Sequence, residues 1–347
     1  MEQTRQLKRI SFRVITALVS VAGTLAALET AARVLTAPPA DALFSDRDLR
    51  IEGRDFVRVD SRRGFALVPG YANRQFQVNS HGFRGEELPS DIENHFVVLA
   101  AGESTTFGWG VDHGDDYPTQ LQEMLAAAGV TSRPVTVINA GVPSYSSSQT
   151  LLYLQEILPQ RKPDLVLVSI LWNDVWFATL SNWYPDVLVF QQPVGWRRVL
   201  LNHSALYRRL TIQPPPQGNP VDLPNDAALD QYQENIRQLI ATCRRFDCPL
   251  AFVQPPFDGD HLPETGINPF GHVRFSKAFL VQTAEQFLAR LAAEADRHNV
   301  PVIDHRLSLK DLHQKELFLD LLHPTPQGNA LMARDVAAAL QEHRLIR

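Results

Sequence analysis

Cysteine is nearly absent, with only Cys243 and Cys248 in 347 residues. That pair cannot make a zinc knuckle: the spacing is wrong and no further cysteine exists to complete a site. Both lie in ATCRRFDCPLAFV, where a helix gives way to a strand, and a bridge formed in an oxidising compartment and two free thiols fit that placement equally. Excess charge is lacking too. Lys+Arg 33 against Asp+Glu 38 leaves a net charge of -5 with no basic stripe, which argues against nucleic acid as a partner. No internal repeat and no low-complexity tract occurs, and the length suits one sizeable domain with decorations.

What the chain does have is one long uncharged run near its start. Val14 to Leu28 carries no charge over fifteen residues, and the helical pattern continues through ETAARVL. The run alone falls short of the roughly 20 residues that cross hydrocarbon, but with the continuation it is long enough. Arg5, Lys8, Arg9 and Arg13 precede it against one acidic residue, Glu2. A basic flank stays in the cytoplasm, so the remainder is expected outside it. The leading expectation is an uncleaved signal anchor over 14–35 behind a basic tail at 1–13. A cleaved signal peptide, or a soluble or surface-lying helix, are the alternatives, and the small residues around Ala22 to Ala32 keep cleavage open. In a bacterium the anchor is a single pass of the inner membrane, with the bulk of the protein in the periplasm.

Residues 36–94 read as a linker and a small β-rich collar, punctuated by Pro38, Pro39, Pro69, Pro89 and several glycines. Within it Phe76 and Val78 alternate with polar residues ahead of a turn at Asn79 to Gly82. From residue 95 to 347 apolar runs alternate with amphipathic stretches. Strands are predicted at 96–102, 135–141, 164–171, 249–255 and 300–305, and helices near 117–128, 147–160, 227–245, 275–298 and 326–342. Continuous apolar strands separated by helices imply a mostly parallel five-stranded sheet covered on both faces: a doubly wound three-layer α/β/α sandwich. One connection, 175–225, is too long for such a domain and is expected to be a lid-like insertion.

Polar residues crowd the carboxyl ends of these strands. AGEST at 101–105, NAGVPSYS at 139–146, LWND at 171–174 and DLLHPTPQG at 320–328 fall in that order. A serine hydroxyl becomes a nucleophile when a neighbouring base takes its proton and a third group orients that base. Asp320 and His323, three apart, share one face of a turn. Thr325 and Pro326 suit the cap and first position of the last helix.

With Ser104, Gly141, Asn173 and His323 in sequence, the chain from about Phe96 to Leu340 resembles the SGNH hydrolases, or GDSL-type esterases and lipases. The resemblance implies a flavodoxin-like SGNH fold and a serine ester hydrolase. Its triad would be Ser104, Asp320 and His323. Its oxyanion hole would be the Ser104 and Gly141 backbone N–H groups and the Asn173 side chain. Neither metal nor organic cofactor is implied. Two departures from the family's blocks stand out, Glu103 where Asp is common and Leu171 where Gly is common.

The expected substrate is an extracytoplasmic acyl ester, such as an O-acylated glycan or a lipid. Transfer of the acyl group from Ser104 to a sugar is one alternative, and a catalytically silent glycan-binding envelope protein is another. Trp172, Asp174 and Trp176 are candidate substrate contacts, with Trp183 and Tyr184 further along the same insertion. Arg84 reads as a structural ion pair rather than a ligand for an acidic group. His261 and His272, with Asp258 and Asp260, read as a solvated loop rather than a metal site.

Overall fold

The computed structural model describes residues 2–35, 50–51, 54–60, 62–178, 204, 206–207, 210, 226–256, 262, 264–267, 274–305 and 314–346. The chain divides into two units, Met1–Asp46 with Gln192–Pro214, and Arg47–Gln191 with Pro215–Arg347. In the first, helix α1 (Glu2–Leu35) is one continuous element. Its stretch Phe12–Val34 is long and apolar enough to cross a membrane and lies exposed. Towards its end Glu29 pairs with Arg33 and also accepts from the Ser204 hydroxyl and the Leu206 N–H.

The second unit begins with short antiparallel pairs. β1 (Arg50–Ile51) pairs with β2 (Arg54–Asp55), and β3 (Val57–Asp60) with β4 (Gly64–Leu67). The collar ends by docking on the main sheet, where Arg84 bridges Asn139 of the sheet's edge strand. The main body then runs β5 (Phe96–Gly102), α2 (Ser104–Phe107), α3 (Tyr117–Ala128), β6 (Val135–Gly141), α4 (Ser147–Arg161), β7 (Leu165–Ser169) and α5 (Trp172–Ala178). It continues with α6 (Asp226–Arg245), β8 (Leu250–Val253), a β9 (Thr265–Ile267) and β10 (Arg274–Ser276) pair, and α7 (Lys277–Arg297). It closes with β11 (Val302–Ile303), α8 (Gln314–Leu317) and α9 (Pro326–Glu342).

Five of these strands form one parallel sheet in the order β11-β8-β7-β5-β6. β5 is buried along its whole length, as a strand covered on both faces must be. Val98 and Ala100 pack with Leu121 and Leu125 of α3 and with Met332, Ala333 and Val336 of α9. Helices α4, α6 and α7 pack on one another as a further group. The three-layer, doubly wound expectation therefore holds. Strands 96–102 and 135–141 and helices 117–128 and 326–342 match their predicted ranges. The third, fourth and fifth strands are shorter than expected, ending at Ser169, Val253 and Ile303.

The strand order reverses direction at β5. From β5 the chain steps outward to β6, then crosses back to β7 on the other side of β5. The carboxyl ends of β5 and β7 therefore flank the crevice where open α/β sheets place their ligands.

Cys243 and Cys248 are both free thiols, and both are buried. The Cys248 N–H donates to the Cys243 carbonyl at 3.0 Å, closing the end of α6, and burial pushes the Cys243 thiol up to about 12. Of the 175–225 insertion only 175–178, 204, 206–207 and 210 are described, so the lid expectation, with Trp183 and Tyr184, lies outside the described residues. His261, His272, Asp258 and Asp260 lie outside them too.

Candidate active site

β5 ends at Gly102, and a Cβ there would meet the Ser169 carbonyl oxygen at 2.3 Å and Thr106 Oγ1 at 2.5 Å. Only glycine lets the chain turn this tightly against β7, and the turn makes Ser104 the first residue of α2. Its N–H therefore has no intrahelical acceptor. Thr105, Thr106 and Phe107 point into the core, fully buried, while Ser104 keeps about 9% exposure. Phe107 packs edge-on against Phe76 of the collar at 5.0 Å.

His323 approaches from the opposite end of the chain. Its Nε2 lies 2.9 Å from Ser104 Oγ, and its Nδ1 lies 2.7 Å from Asp320 Oδ2. The other carboxylate oxygen, Oδ1, accepts the backbone N–H groups of Leu322 and His323 at 3.0 and 2.9 Å. Both oxygens of Asp320 are thus used to shape the turn that presents the imidazole. Burial works to raise the pKa of Asp320, but the His323 hydrogen bond and charge and the two N–H groups outweigh it and hold it at about 2. Beyond the turn Thr325 caps α9 by accepting the Gly328 N–H at 3.1 Å, with Pro326 at the first helical position.

A third segment completes the crevice. The Glu103 carboxylate, wholly buried, accepts the N–H groups of Trp172 and Asn173 at 2.9 Å each. It thereby fixes the start of α5. The Asn173 side chain in turn donates from Nδ2 to the Tyr145 carbonyl at 2.9 Å, which leaves its second amide hydrogen free to serve elsewhere. Burial pushes Glu103 up to about 8 against the pull of those N–H groups, with the charge of Asp174 adding to the rise.

The family description GDSL-like lipase/acylhydrolase matches residues 100–331, well over half the chain. The chain belongs to the GDSL-like lipase/acylhydrolase family. Among solved structures it is similar to TesA, with 15% identity and a TM-score of 0.46, covering 71% of this chain and 98% of that one. It is similar to a lipase/acylhydrolase from Enterococcus faecalis at 17% identity and 0.45, covering 72% and 97%. It is also similar to a variant of Axe2, an acetyl xylan esterase from Geobacillus stearothermophilus, at 18% and 0.45, covering 71% and 93%. No curated protein sequence matches the chain.

Against the blocks of this GDSL-like family, two expected contacts come out differently. Gly141, the expected backbone donor of the second block, already gives its N–H to Asn139 Oδ1 at 3.0 Å. What glycine supplies at 141 is space: a Cβ would sit 2.3 Å from the Phe107 nitrogen and 2.7 Å from the Thr106 carbonyl carbon. Among the described residues, the backbone N–H of this block that has no acceptor is that of Ser144. The turn Val142 to Tyr145 is closed by the Tyr145 N–H on the Val142 carbonyl, with Pro143 second and Ser144 third at φ 67°. That is the pattern of a type II turn, whose third position favours glycine. A serine holding a positive φ beside the carbonyl that Asn173 binds is a signal that sequence pattern does not carry.

The second difference concerns the three candidate substrate contacts. Trp172 and Trp176 stack on each other at 6.2 Å and are 1% and 3% exposed, with Trp176 also against Phe275. Asp174 is equally committed, accepting the Ser147 N–H at 2.8 Å and the Ser147 hydroxyl at 2.5 Å. These side chains hold α5 against the body and do not face the crevice as open surfaces. Leu171, the other departure from the family blocks, is fully buried, and Asn173 keeps its backbone and side-chain bonds despite it.

Arg84 sits 1% exposed between the rings of Phe76 and Phe107 and donates to the carbonyls of Gly108, Val111 and Asp112. It fixes the loop after α2 from beneath, with Asp116 3.5 Å from its Nε. Among the described residues no three His, Cys, Asp or Glu side chains gather as metal ligands would.

Proposed function

We propose that the protein is a serine ester hydrolase in which Ser104 is the nucleophile. The observation that carries this reading is the hydrogen-bonded chain Ser104 Oγ, His323 Nε2, His323 Nδ1, Asp320 Oδ2, at 2.9 and 2.7 Å. Ser104 Oγ attacks the acyl carbonyl as its proton passes to His323 Nε2. Asp320 holds the imidazole in the tautomer that leaves Nε2 basic and stabilises the imidazolium that forms. The same imidazolium then protonates the leaving alkoxide, and water, activated by His323 in a second cycle, releases the acid and restores Ser104.

The oxyanion is received by the Ser104 N–H, the Ser144 N–H and the second hydrogen of Asn173 Nδ2. Ser144 takes the place first expected of Gly141, because its N–H has no acceptor among the described residues whereas that of Gly141 does. Such donors act together in a site shielded from water, where each is worth about 3 kcal/mol of barrier.

The substrate is an acyl ester outside the cytoplasm, of a glycan or a lipid, with acetyl among the acyl groups it would carry. Helix α1, with Arg5, Lys8, Arg9 and Arg13 ahead of the uncharged run Val14 to Leu28, supports a single-pass anchor that leaves the catalytic unit on the exported side.

The test compares the full chain with Ser104→Ala for hydrolysis of p-nitrophenyl acetate and for labelling by a fluorophosphonate. Hydrolysis and labelling present in the wild type and lost in the folded variant support the reading. A folded wild type that neither hydrolyses nor labels overturns it.

A further inference from the structure

The turn Val142 to Tyr145 borders a second cavity, of ≈ 120 Å³, lined by Arg58, Arg63, Arg161 and Glu156 together with Val142 and Tyr145. That is far more room than a single water needs. None of Ser104, Asp320 and His323 lines it.

Its charge is unbalanced. Arg63 is 5% exposed, with Nη2 2.8 Å from Asp60 and 3.5 Å from Glu156, and its guanidinium stacks over Tyr153 at 4.6 Å. Its Nε is buried and has no hydrogen-bond partner among the described residues. Arg161 is held over the Phe83 ring at 5.7 Å, and neither it nor Arg58 has an ion-pair partner among the described residues. Two carboxylates, Asp60 and Glu156, thus answer three guanidiniums, and one buried N–H remains unmet.

A guanidinium is a planar fork of donors that matches the two oxygens of a carboxylate or phosphate, and ring stacking fixes the fork's plane before any ligand arrives. Two of these forks, Arg63 and Arg161, lie over rings, and with the exposed Arg58 they leave positive charge around one cavity that an anion would offset. We propose that this cavity is an anion-binding site for a carboxylate or phosphate group carried on a sugar. Its wall is the same turn whose Tyr145 carbonyl holds the Asn173 side chain, so an anion bound there rests against the segment that shapes the catalytic crevice. An acidic or phosphorylated glycan that spans both would be anchored by its charge at one end and presented to Ser104 at the other.

Binding itself is the readout, so the outcome does not depend on the esterase reading. The full chain in detergent is titrated calorimetrically with D-glucuronate, with glucose 6-phosphate and with D-glucose. Saturable binding of either anion at one site, with no binding of glucose and weaker affinity in ~0.5 M salt, is expected. Which anion binds tells a carboxylate site from a phosphate site. The double variant Arg58→Gln/Arg161→Gln removes two cations that carry no structural ion pair, and its affinity should fall about tenfold or more. Arg63→Gln is not relied on, since it breaks the ties to Asp60 and Glu156. No saturable binding of either anion overturns the proposal. So does glucose binding as tightly as the anions, or a folded double variant with wild-type affinity.

Discussion

Glu103 reaches from the residue before Ser104 into the start of α5, and its carboxylate takes the Asn173 backbone N–H at 2.9 Å. The neighbour of the proposed nucleophile therefore sets where the Asn173 amide stands. Above about pH 8, where Glu103 is ionised and both oxygens accept, Glu103→Gln places an amide NH2 against one of two backbone N–H groups and breaks that bond, at a cost of about 1–3 kcal/mol. The expected result is a folded protein whose kcat for p-nitrophenyl acetate drops at least tenfold with little change in KM. Unchanged kcat in the variant would show that Asn173 needs no such anchor.

Asp320 is expected to act through His323 alone, since it orients the imidazole and does not touch the ester. Asp320→Asn leaves the shape of the turn but favours the wrong tautomer, so kcat should fall by roughly 10³–10⁴, the scale seen when other triads lose this group. Steady-state hydrolysis at neutral pH measures it, with circular dichroism confirming the fold.

The two buried carboxylates make stability depend on pH in an unusual sense. Burial raises Glu103 to about 8 and Asp174 to about 6, both above their ordinary values of 4.5 and 3.8. The folded state then holds protons that the unfolded chain has already released, so stability falls as pH rises from about 4 through 8. The loss is on the order of a few kcal/mol, since each tenfold difference in proton affinity between folded and unfolded chain is worth about 1.4 kcal/mol. Thermal melts should therefore show a higher Tm near pH 5 than near pH 9, and Glu103→Gln should flatten the slope. A Tm that climbs steadily over that range would contradict the buried placement of these groups.

Gly141 and Ser144 should respond in opposite ways. Gly141→Ala drives a Cβ to 2.3 Å from the Phe107 nitrogen, a backbone atom that cannot swing aside, so Tm should fall by several degrees or the protein fail to fold. Ser144→Gly relaxes a positive φ of 67° and keeps the N–H, so it should retain both Tm and activity. Activity lost in a stable Ser144→Gly protein would assign the role at this position to the serine side chain and not to its N–H.

Much of this arrangement can be read from the sequence. β5 announces itself because a strand buried on both faces must be apolar throughout, and the helix at 326–342 because Thr325 and Pro326 mark its start. The pairing of Asp320 with His323 follows from their spacing. The bonding partners of Gly141 do not, because matching NAGVPSYS to a motif cannot say which N–H the side chain of Asn139 will claim. Trp172 and Trp176 mislead for a related reason: aromatic residues next to a catalytic block can stack on a ligand or on each other, and only packing decides. The arginine cavity is invisible in the sequence, since Arg58, Arg63 and Arg161 are brought together by the collar folding back on α4.

Ser104 and His323 stand 219 positions apart in the chain, and the turn carrying His323 is fixed by the helix that follows it. During synthesis Ser104, the end of β5 and the segments around Ser144 and Asn173 all emerge long before His323 does. On the proposed triad, a chain that stops before Asp320 holds a serine with no base beside it. Hydrolytic competence would then arrive only after α9 has packed against the sheet, so the order of synthesis itself would delay the cutting of esters until the body is folded.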